Sequence, residues 1–354
     1  MTIEDLGYTT ELEKYRKENN LDSFEIGRVI SEHKTRYVVK TKNAEYDSEL
    51  IGNLRFNSES KYDLPVVGDW VAISIYDDKA LIHSVYPRHS TLERKAAGKL
   101  IQPQIIATNI DYALIIQSVN RDFNINRIER YLTICNSSKI KPIIVLNKID
   151  LIKKLELEDI LKKLYKRIKN IPIIAISNQS KIGLDIVKSK LTKGKTYCLL
   201  GSSGVGKSTL INNLVGKELM VTGEISESID RGKHITSHRE LIVTDNGILI
   251  DNPGMREVGI TNSVTGLENT FDEILKLSQN CKFKDCTHIT EIGCAVIEAV
   301  DNGKIDINSY ENFLKIKKEK EHFESTAAEK RKKDKDFGKK IKQFKKTRKS
   351  NKYY

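Results

Sequence analysis

Short segments of alternating polarity fill residues 24–87. Val71, Ile73 and Ile75 recur at every second position, which is the period of a half-buried strand. No helical period separates the segments, so they predict a small antiparallel barrel. An oligonucleotide-binding (OB) barrel of five strands fits the length, although any small antiparallel barrel would give this pattern. The predicted strands are "FEIGRVI", "TRYVVKT", "EYDSEL", "NLRFN", "VGDWVAISI" and "ALIHSVYP".

A second pattern follows the basic segment "PRHSTLERKAAGK", which we interpret as a linker. Apolar runs now alternate with helical stretches, and Ile128, Leu132 and Cys135 share one helical face. The runs are almost continuously hydrophobic, as expected for parallel strands covered by helices on both faces. They predict a doubly wound α/β domain with the strands "YALIIQS", "PIIVLN", "PIIAIS", "TYCLLG" and "ILID".

From about residue 266 the chain predicts short helices around a cysteine cluster, then the charged helix "SYENFLKIKKEKEHFEST". A length of 354 residues favours two or three domains. The apolar runs are far shorter than the roughly 20 residues of a membrane span, so we expect a cytoplasmic protein with no membrane partner. Five cysteines in such a chain do not suggest a disulfide framework.

The positive charge is concentrated at one end. Residues 330–354 hold thirteen Lys or Arg against two Asp, so they contribute +11 to a net charge of +12. This basic tail either remains solvated or binds a polyanion such as RNA, and we favour RNA because neutralised phosphates release counterions.

The segment "GSSGVGKST" fits the phosphate-loop pattern and follows an apolar strand. Its glycines let backbone N–H groups point at an oxyanion. Lys207 would reach the β and γ phosphates and take part in catalysis, and Ser208 would ligate Mg²⁺. The predicted contacts are Gly201, Ser202, Ser203, Gly204, Val205, Gly206, Lys207, Ser208 and Thr209.

The segment "NKID" predicts a guanine contact. A carboxylate at Asp150 can accept both N1–H and N2–H₂ of guanine. Asn147 would contact the base edge and brace the loop, the stem of Lys148 would cover the ring, and Ile149 completes the segment. Ser177 either steadies this loop or only forms a turn.

Two further segments predict the switches of a nucleotide hydrolase. "DNPG" supplies Asp251 for the Mg²⁺ shell and Gly254 for an N–H bond to the γ-phosphate. "RGKHITSHRE" offers Thr236 to close over Mg²⁺, with Ser237 as the alternative.

The residue after Gly254 is Met255, where many such hydrolases use Gln to orient the attacking water. A thioether is a poor acceptor, so intrinsic hydrolysis should be slow. His234 is the candidate to position water, and the alternative is a histidine that contacts only a partner or solvent.

The motifs occur in a rotated order, with the base motif at 147 before the phosphate loop at 201 and the switches near 236 and 251. In a doubly wound sheet the order of the strands in space, and not their order along the chain, decides which loops are neighbours. A circular permutation therefore preserves the site. The second switch then leads directly into the C-terminal domain.

Four residues in "CKFKDCTHITEIGC" suit a tetrahedral Zn²⁺ site, with buried thiols and a surface histidine as the alternative. They are Cys281, Cys286, His288 and Cys294. The remaining thiols, Cys135 and Cys198, lie in apolar patterns and read as small buried hydrophobes.

Together these segments resemble the circularly permuted ribosome-assembly GTPases, the small-subunit-dependent family also called RsgA or YjeQ. The resemblance runs from about residue 24 to 320 and includes "LPVVGDWVAI", "RDFNINRIERYLT", "RGKHITSHREL" and "IDNPGMRE". It implies an N-terminal OB-type barrel, a circularly permuted GTPase domain and a mainly helical zinc domain. It also implies GTP/GDP, Mg²⁺ and one Zn²⁺ as ligands. The implied role is late maturation of the small ribosomal subunit. The protein is expected to be monomeric and to bind the subunit through rRNA, and this binding stimulates hydrolysis. The predicted limits are 1–23 for an N-terminal extension, 24–95 for the barrel, 96–262 for the GTPase domain, 263–325 for the zinc domain and 326–354 for the basic tail.

The resemblance favours Thr236 as the switch residue and His234 as the hydrolytic residue. The chain departs from the family at Asn252, where Thr is common, and at Ile235 and Ser237, where threonines are usual. Two other functions stay open: an RNA-binding protein that uses GTP as a conformational ligand, and a GTPase with a different RNA or translation target.

Overall fold

The structure is a computed structural model that describes residues 1–33, 36–58, 60, 62–94, 104–216, 240–251 and 264–324. Within these ranges no helix combines the length and apolarity needed to cross a membrane. The strands are β1 Glu25–His33, β2 Arg36–Lys40, β3 Glu45–Leu50, β4 Trp70–Tyr76, β5 Lys79–Val85, β6 Thr91–Arg94, β7 Gln104–Thr108, β8 Tyr112–Ser118, β9 Lys141–Asn147, β10 Ile173–Ala175, β11 Thr196–Leu200, β12 Glu240–Val243 and β13 Ile248–Asp251. The helices are α1 Thr10–Glu18, α2 Gly52–Asn57, α3 Ile125–Ser137, α4 Lys154–Arg167, α5 Leu184–Lys190, α6 Lys207–Val215, α7 Val264–Thr270, α8 Asp272–Ser278, α9 Ala295–Asp301 and α10 Ile307–Glu324.

Strands β1 to β5 form a closed barrel of the OB type, which confirms that prediction. Their order is β1-β2-β3-β5-β4, and β4 pairs back with β1. The prediction of a strand at "NLRFN" was wrong, because these residues form helix α2. Of the two apolar side chains in α2, Leu54 packs against the barrel core, whereas Phe56 is 94% exposed, so the apparent alternation has no buried face to match.

The central sheet has the order β10-β9-β8-β11-β13-β12. The pairs up to β13 are parallel, and β12 runs antiparallel to β13. Apolar side chains cover both faces, as the continuous hydrophobic runs predicted. The phosphate-loop strand β11 is therefore central in space although it comes late in the chain, which is the arrangement that a permuted order requires.

Residues 87–94, the described part of the segment interpreted as a linker, belong to the fold. Strands β6 and β7 pair antiparallel, and Leu92 in β6 is fully buried. Strand β12 also pairs with β1 at Glu240 and Ser31, so backbone hydrogen bonds join the barrel to the central sheet. The predicted domain limit at 95/96 lies between the two paired strands β6 and β7.

The buried side chain of Arg28 joins the N-terminal segment, the barrel and the central domain. Its guanidinium donates to the carbonyl oxygens of Leu6 at 2.6 Å, Gly68 at 3.1 Å and Asn109 at 3.0 Å. Burial lowers the pKa of Arg28 to about 10. Residues 1–23, predicted as an extension, therefore pack as part of the structure.

A second buried charge fixes the C-terminal helices. The Glu129 carboxylate on α3 accepts two hydrogen bonds from Arg167, at 3.0 and 2.7 Å, with both side chains almost wholly buried. It also accepts from Ser309 at 3.0 Å and Asn312 at 2.7 Å, both on α10. Donors from α4 and α10 thus meet at one carboxylate of α3, and this network orients α10 against the central domain.

The thiols of Cys135 and Cys198 are fully buried, as predicted. Burial raises the pKa of the Cys198 thiol to about 12 and that of Cys135 well above its usual value. Both residues therefore act as small apolar side chains and not as reactive thiols.

Candidate functional site

Four of the predicted segments, those at Asn147, Ser177, Gly201 and Asp251, lie at or just after the ends of parallel strands of the central sheet. Their register brings the carboxyl ends together: Leu146 pairs with Ala175 in β10, and Ile250 in β13 pairs with Cys198 in β11. Because the carboxyl ends of parallel strands meet at one edge, the loops that begin there are neighbours.

The phosphate loop runs from the end of β11 to the start of α6. Gly204 and Gly206 have φ angles of 78° and 97°, which allow successive N–H groups to turn inward. The ammonium group of Lys207 donates to the carbonyl oxygens of Gly201 at 2.9 Å and Ser202 at 2.7 Å. The positive charge of Lys207 therefore lies next to the first two residues of the loop.

Asn147 connects the base loop to the phosphate loop. It ends β9, is almost fully buried, and donates from Nδ2 to the carbonyl oxygen of Val205 at 2.7 Å. The two segments are 58 residues apart in sequence. After Asn147 the chain turns through Lys148, whose φ is 66°, into a short 3-10 turn that contains Ile149 and the exposed residue Asp150.

Ser177 lies fully buried after β10, and its hydroxyl accepts from the Ser180 N–H at 3.1 Å. The N–H of Ile149 donates to the carbonyl oxygen of Ile176, the residue before Ser177, at 3.3 Å. The turn at Ser177 thus lies next to the base loop, and the contact between them is made by the backbone of Ile176. A steadying role for the Ser177 side chain stays a prediction.

Asn178 is a residue of the site that sequence reasoning missed. Its N–H donates to Asn147 Oδ1 at 3.2 Å, and its Nδ2 donates to the carbonyl oxygen of Gly206 at 2.9 Å. Asn213 on α6 donates in turn to the carbonyl oxygen of Asn178 at 3.1 Å. A Cβ at Gly206 would lie 2.3 Å from Asn147 Nδ2, so glycine is required where these loops meet. No motif spacing singles out Asn178 in "AISNQS".

The predicted Mg²⁺ residues lie at the same edge. Ser208 and Thr209 follow Lys207 in the first turn of α6, and both are half-buried. Asp251 ends β13, next to the strand that leads into the phosphate loop. The predicted residues His234, Thr236 and Gly254 lie outside the described residues, as do Met255 and the basic tail.

The cysteine cluster forms a compact set of metal donors. Cys281, Cys286, His288 and Cys294 place one donor atom each within 4.8 Å of all the others. The Sγ atoms of Cys281 and Cys294 are 3.8 Å apart, and His288 Nδ1 lies 3.6 and 3.4 Å from these two sulfurs. These four residues can therefore hold a metal ion.

Polar contacts fix the loop that carries His288. The hydroxyl of Tyr310, on α10, donates to the His288 carbonyl oxygen. The Glu291 carboxylate accepts from the N–H groups of Thr287, Ile289 and Thr290, and the hydrogen bonds from Thr287 hold the pKa of Glu291 well below its usual range. The cluster is thus tied to α10 and, through the Glu129 network, to the central domain.

Comparison with known proteins gives the family. A model described as "RsgA GTPase" matches residues 85–261. The "Small ribosomal subunit biogenesis GTPase RsgA 1" of Bacteroides thetaiotaomicron is 38% identical over 98% of this chain and 97% of its own length. The chain belongs to the RsgA GTPase family. A further relative, "Small ribosomal subunit biogenesis GTPase RsgA 2" of Listeria monocytogenes, is 40% identical over 90% of this chain and 89% of its own length.

Solved structures support the same fold. YjeQ from Thermotoga maritima has a TM-score of 0.61 at 24% identity and covers 84% of this chain and 98% of its own. The structure of YloQ, described as a circularly permuted GTPase, gives 0.62 at 24% identity, with 86% of this chain and 98% of its own covered. The barrel followed by a permuted sheet is thus shared with solved proteins.

A second model, for ABC transporters, matches residues 184–344. That range contains the phosphate loop, which many nucleotide hydrolases share. It does not include the base loop at Asn147, which the RsgA GTPase model does include. The RsgA relative that matches 98% of this chain extends over the barrel as well.

Proposed function

We propose that this RsgA-family chain hydrolyses GTP to GDP and phosphate and acts on the small ribosomal subunit during its late maturation, with the subunit stimulating hydrolysis. The main support for the nucleotide site is the hydrogen bond from Asn147 to the Val205 carbonyl oxygen, at 2.7 Å. It links a loop suited to guanine with a loop suited to phosphate. The names of the curated relatives, which are described as small ribosomal subunit biogenesis GTPases, support the target.

The residues at the sheet edge have separable roles in this proposal. Lys207 leaves its two carbonyl acceptors to contact the β and γ phosphates, where an anion is a stronger partner than a neutral carbonyl. Asp150 accepts from guanine, and Ser208 and Asp251 hold Mg²⁺ directly or through water. The remaining phosphate contacts are the backbone N–H groups of the loop, supported by the helix N-terminus of α6.

Thr236 and Gly254 complete the proposed Mg²⁺ and γ-phosphate contacts, and His234 orients the attacking water. Mg²⁺ would supply charge neutralisation for the transferred phosphoryl group. Because Met255 cannot orient water as a Gln would, the proposal requires slow turnover until the subunit is bound.

Zinc is the metal that we propose for the cysteine cluster. With Zn–S at about 2.3 Å and Zn–N at about 2.0–2.1 Å, a tetrahedral site has S···S edges of about 3.8 Å and S···N edges of about 3.5 Å. For Cys281, Cys294 and His288, the observed separations of 3.8 Å between the two sulfurs and 3.4–3.6 Å from sulfur to Nδ1 match these edges. The donor atom of Cys286 lies within 4.8 Å of the other three. The donor set of three thiolates and one imidazole also favours zinc over Mg²⁺ or Ca²⁺.

The experiment measures phosphate release by the purified protein with and without isolated small subunits, at two salt concentrations. We expect slow release alone and a many-fold rise with subunits that weakens as salt increases, because charge dominates contacts with RNA. Lys207→Ala should abolish both rates, whereas Lys190→Ala, an exposed lysine on α5, should leave them unchanged. Subunits that bind the protein but do not accelerate release would contradict the proposal and favour GTP as a conformational ligand. Stimulation by a different particle alone would favour another target.

A further inference from the structure

Helix α3 reaches the phosphate loop through Arg127. This residue lies in the first turn of α3, is half-buried, and donates from Nη1 to the hydroxyl oxygen of Ser202 at 2.8 Å. The two residues are 75 positions apart in sequence. Ser202 also offers its carbonyl oxygen to Lys207 at 2.7 Å. The second residue of the loop is therefore held from two sides, by its hydroxyl and by its carbonyl.

The backbone around Arg127 is also fixed. Asn124 caps α3 and accepts at Oδ1 from the Arg127 N–H at 3.3 Å. One turn further, Arg130 forms two hydrogen bonds with Glu319 of α10, at 2.6 and 2.8 Å. The buried Glu129 carboxylate adds the contacts to Ser309 and Asn312 of the same helix. A guanidinium on a helix anchored in this way can hold a loop in place without moving toward it.

We propose that Arg127 is a positioning residue for nucleotide binding, which holds the phosphate loop in its binding shape through the Ser202 hydroxyl. This inference rests on the proposed nucleotide site. A loop held before the nucleotide arrives loses less conformational freedom on binding. The contact orders the loop before any nucleotide is bound, so we expect its loss to weaken the binding of GDP and GTP alike. It also ties the loop to α3, and through α3 to α10 and the metal-binding region.

The test is a double-mutant cycle on the dissociation constants of fluorescent GDP and a non-hydrolysable GTP analogue. We expect Arg127→Ala to weaken both nucleotides about tenfold, which corresponds to about 1.4 kcal/mol. Ser202→Ala should give a similar or larger loss, because the Ser202 side chain also contacts Tyr131. The double variant should be no weaker than Ser202→Ala alone, because the Arg127 contact is already absent there. Arg127→Lys, which retains a charged donor, should recover part of the affinity. Arg121→Ala, an exposed arginine shortly before α3, is the matched control and should bind as the unchanged protein does.

Unchanged affinities in Arg127→Ala, or losses that add fully in the double variant, would overturn the inference. A loss for the GTP analogue with unchanged GDP binding would also overturn it, because it would make Arg127 a direct contact of the γ-phosphate. Ser202→Ala removes a single half-buried oxygen, so its thermal midpoint should stay that of the unchanged protein, and its result stands if Arg127→Ala folds poorly. Lys207→Ala separates the two proposals. If it still binds nucleotide normally, the proposed site is wrong. If it abolishes binding while Arg127→Ala is unaffected, only the positioning role fails.

Discussion

Replacing Glu129 with Gln tests whether one buried carboxylate holds the C-terminal helices on the central domain. Both oxygens of Glu129 accept a hydrogen bond from Arg167, Oε1 from Nε at 3.0 Å and Oε2 from Nη2 at 2.7 Å. Gln turns one oxygen into an NH₂ group, so a donor then faces a donor whichever way the amide is placed. The Arg167 side chain is only 7% exposed and loses its close anionic partner, while Asp306 at 3.8 Å remains.

Breaking one partner of a buried ion pair costs about 3–5 kcal/mol, and the remaining Asp306 contact favours the lower end of that range, about 3 kcal/mol. For a domain of about 150–250 residues this lowers the midpoint of thermal unfolding by about 6–12 °C. Calorimetry of the unchanged protein and Glu129→Gln measures the shift. Hydrogen exchange should also become faster in α10, because either Ser309, which donates to Oε1, or Asn312, which donates to Oε2, loses its acceptor.

Glu273→Gln is the matched control. Glu273 pairs with Lys169 at 3.6 Å, but both side chains are more than half exposed, so the pair contributes at most about 1 kcal/mol. A midpoint for Glu129→Gln that stays within about 2 °C of the control, with unchanged exchange in α10, would refute the reasoning.

Three other perturbations have defined outcomes. Gly206→Ala places a Cβ 2.3 Å from Asn147 Nδ2 in a backbone with φ of 97°, so affinity for GDP and GTP should fall at least about thirtyfold, corresponding to about 2 kcal/mol, as measured by fluorescence titration. Gly216→Ala, at a positive φ with open space around its Cβ, controls for backbone strain alone, and equal losses in both variants would contradict the clash. Arg28→Ala removes three hydrogen bonds to backbone carbonyl groups and should lower the midpoint of thermal unfolding by several degrees. Arg36→Ala, in an exposed ion pair, should leave the midpoint unchanged. Similar midpoints for the two variants would show that the contact between the N-terminal segment, the barrel and the central domain does not depend on Arg28. Elemental analysis of protein purified without chelators should find about one zinc per chain, and chelation should lower the thermal midpoint; no zinc in that preparation would end the zinc assignment.

The hydrophobic runs and the motif spacings in the sequence predicted most of the architecture. The apolar runs located the five parallel strands of the central sheet, because a strand buried on both faces leaves an uninterrupted hydrophobic signal. The antiparallel strand β12, of four residues, was not predicted. The motifs at Asn147 and Gly201 were recognisable because phosphate and guanine impose fixed residue types at fixed spacing. The four metal donors could be predicted because a metal ion likewise requires particular residue types, here cysteine and histidine, close together.

Short and long-range features were harder to predict. Helix α2 was taken for a strand because six residues give too few periods to distinguish a helix from a strand, and exposure of Phe56 became evident only in the fold. The β6–β7 pairing was missed because its register depends on chain packing and not on local pattern. Glu129 and Asn178 carry no motif, since their partners lie on other elements far away in sequence.

The central claim is that the loop at 147–150 and the loop at 201–209 hold one guanine nucleotide between them. Asp150→Asn tests it most directly, through the ratio of dissociation constants for guanosine and xanthosine triphosphates. Xanthine carries a carbonyl acceptor where guanine carries an amino donor, so the introduced side-chain amide, which can donate, should shift preference toward xanthosine by at least about tenfold. Asp159→Asn, an exposed residue of α4, should leave the ratio as it is in the unchanged protein. A variant at Asp150 that keeps its full preference for guanosine would contradict the account.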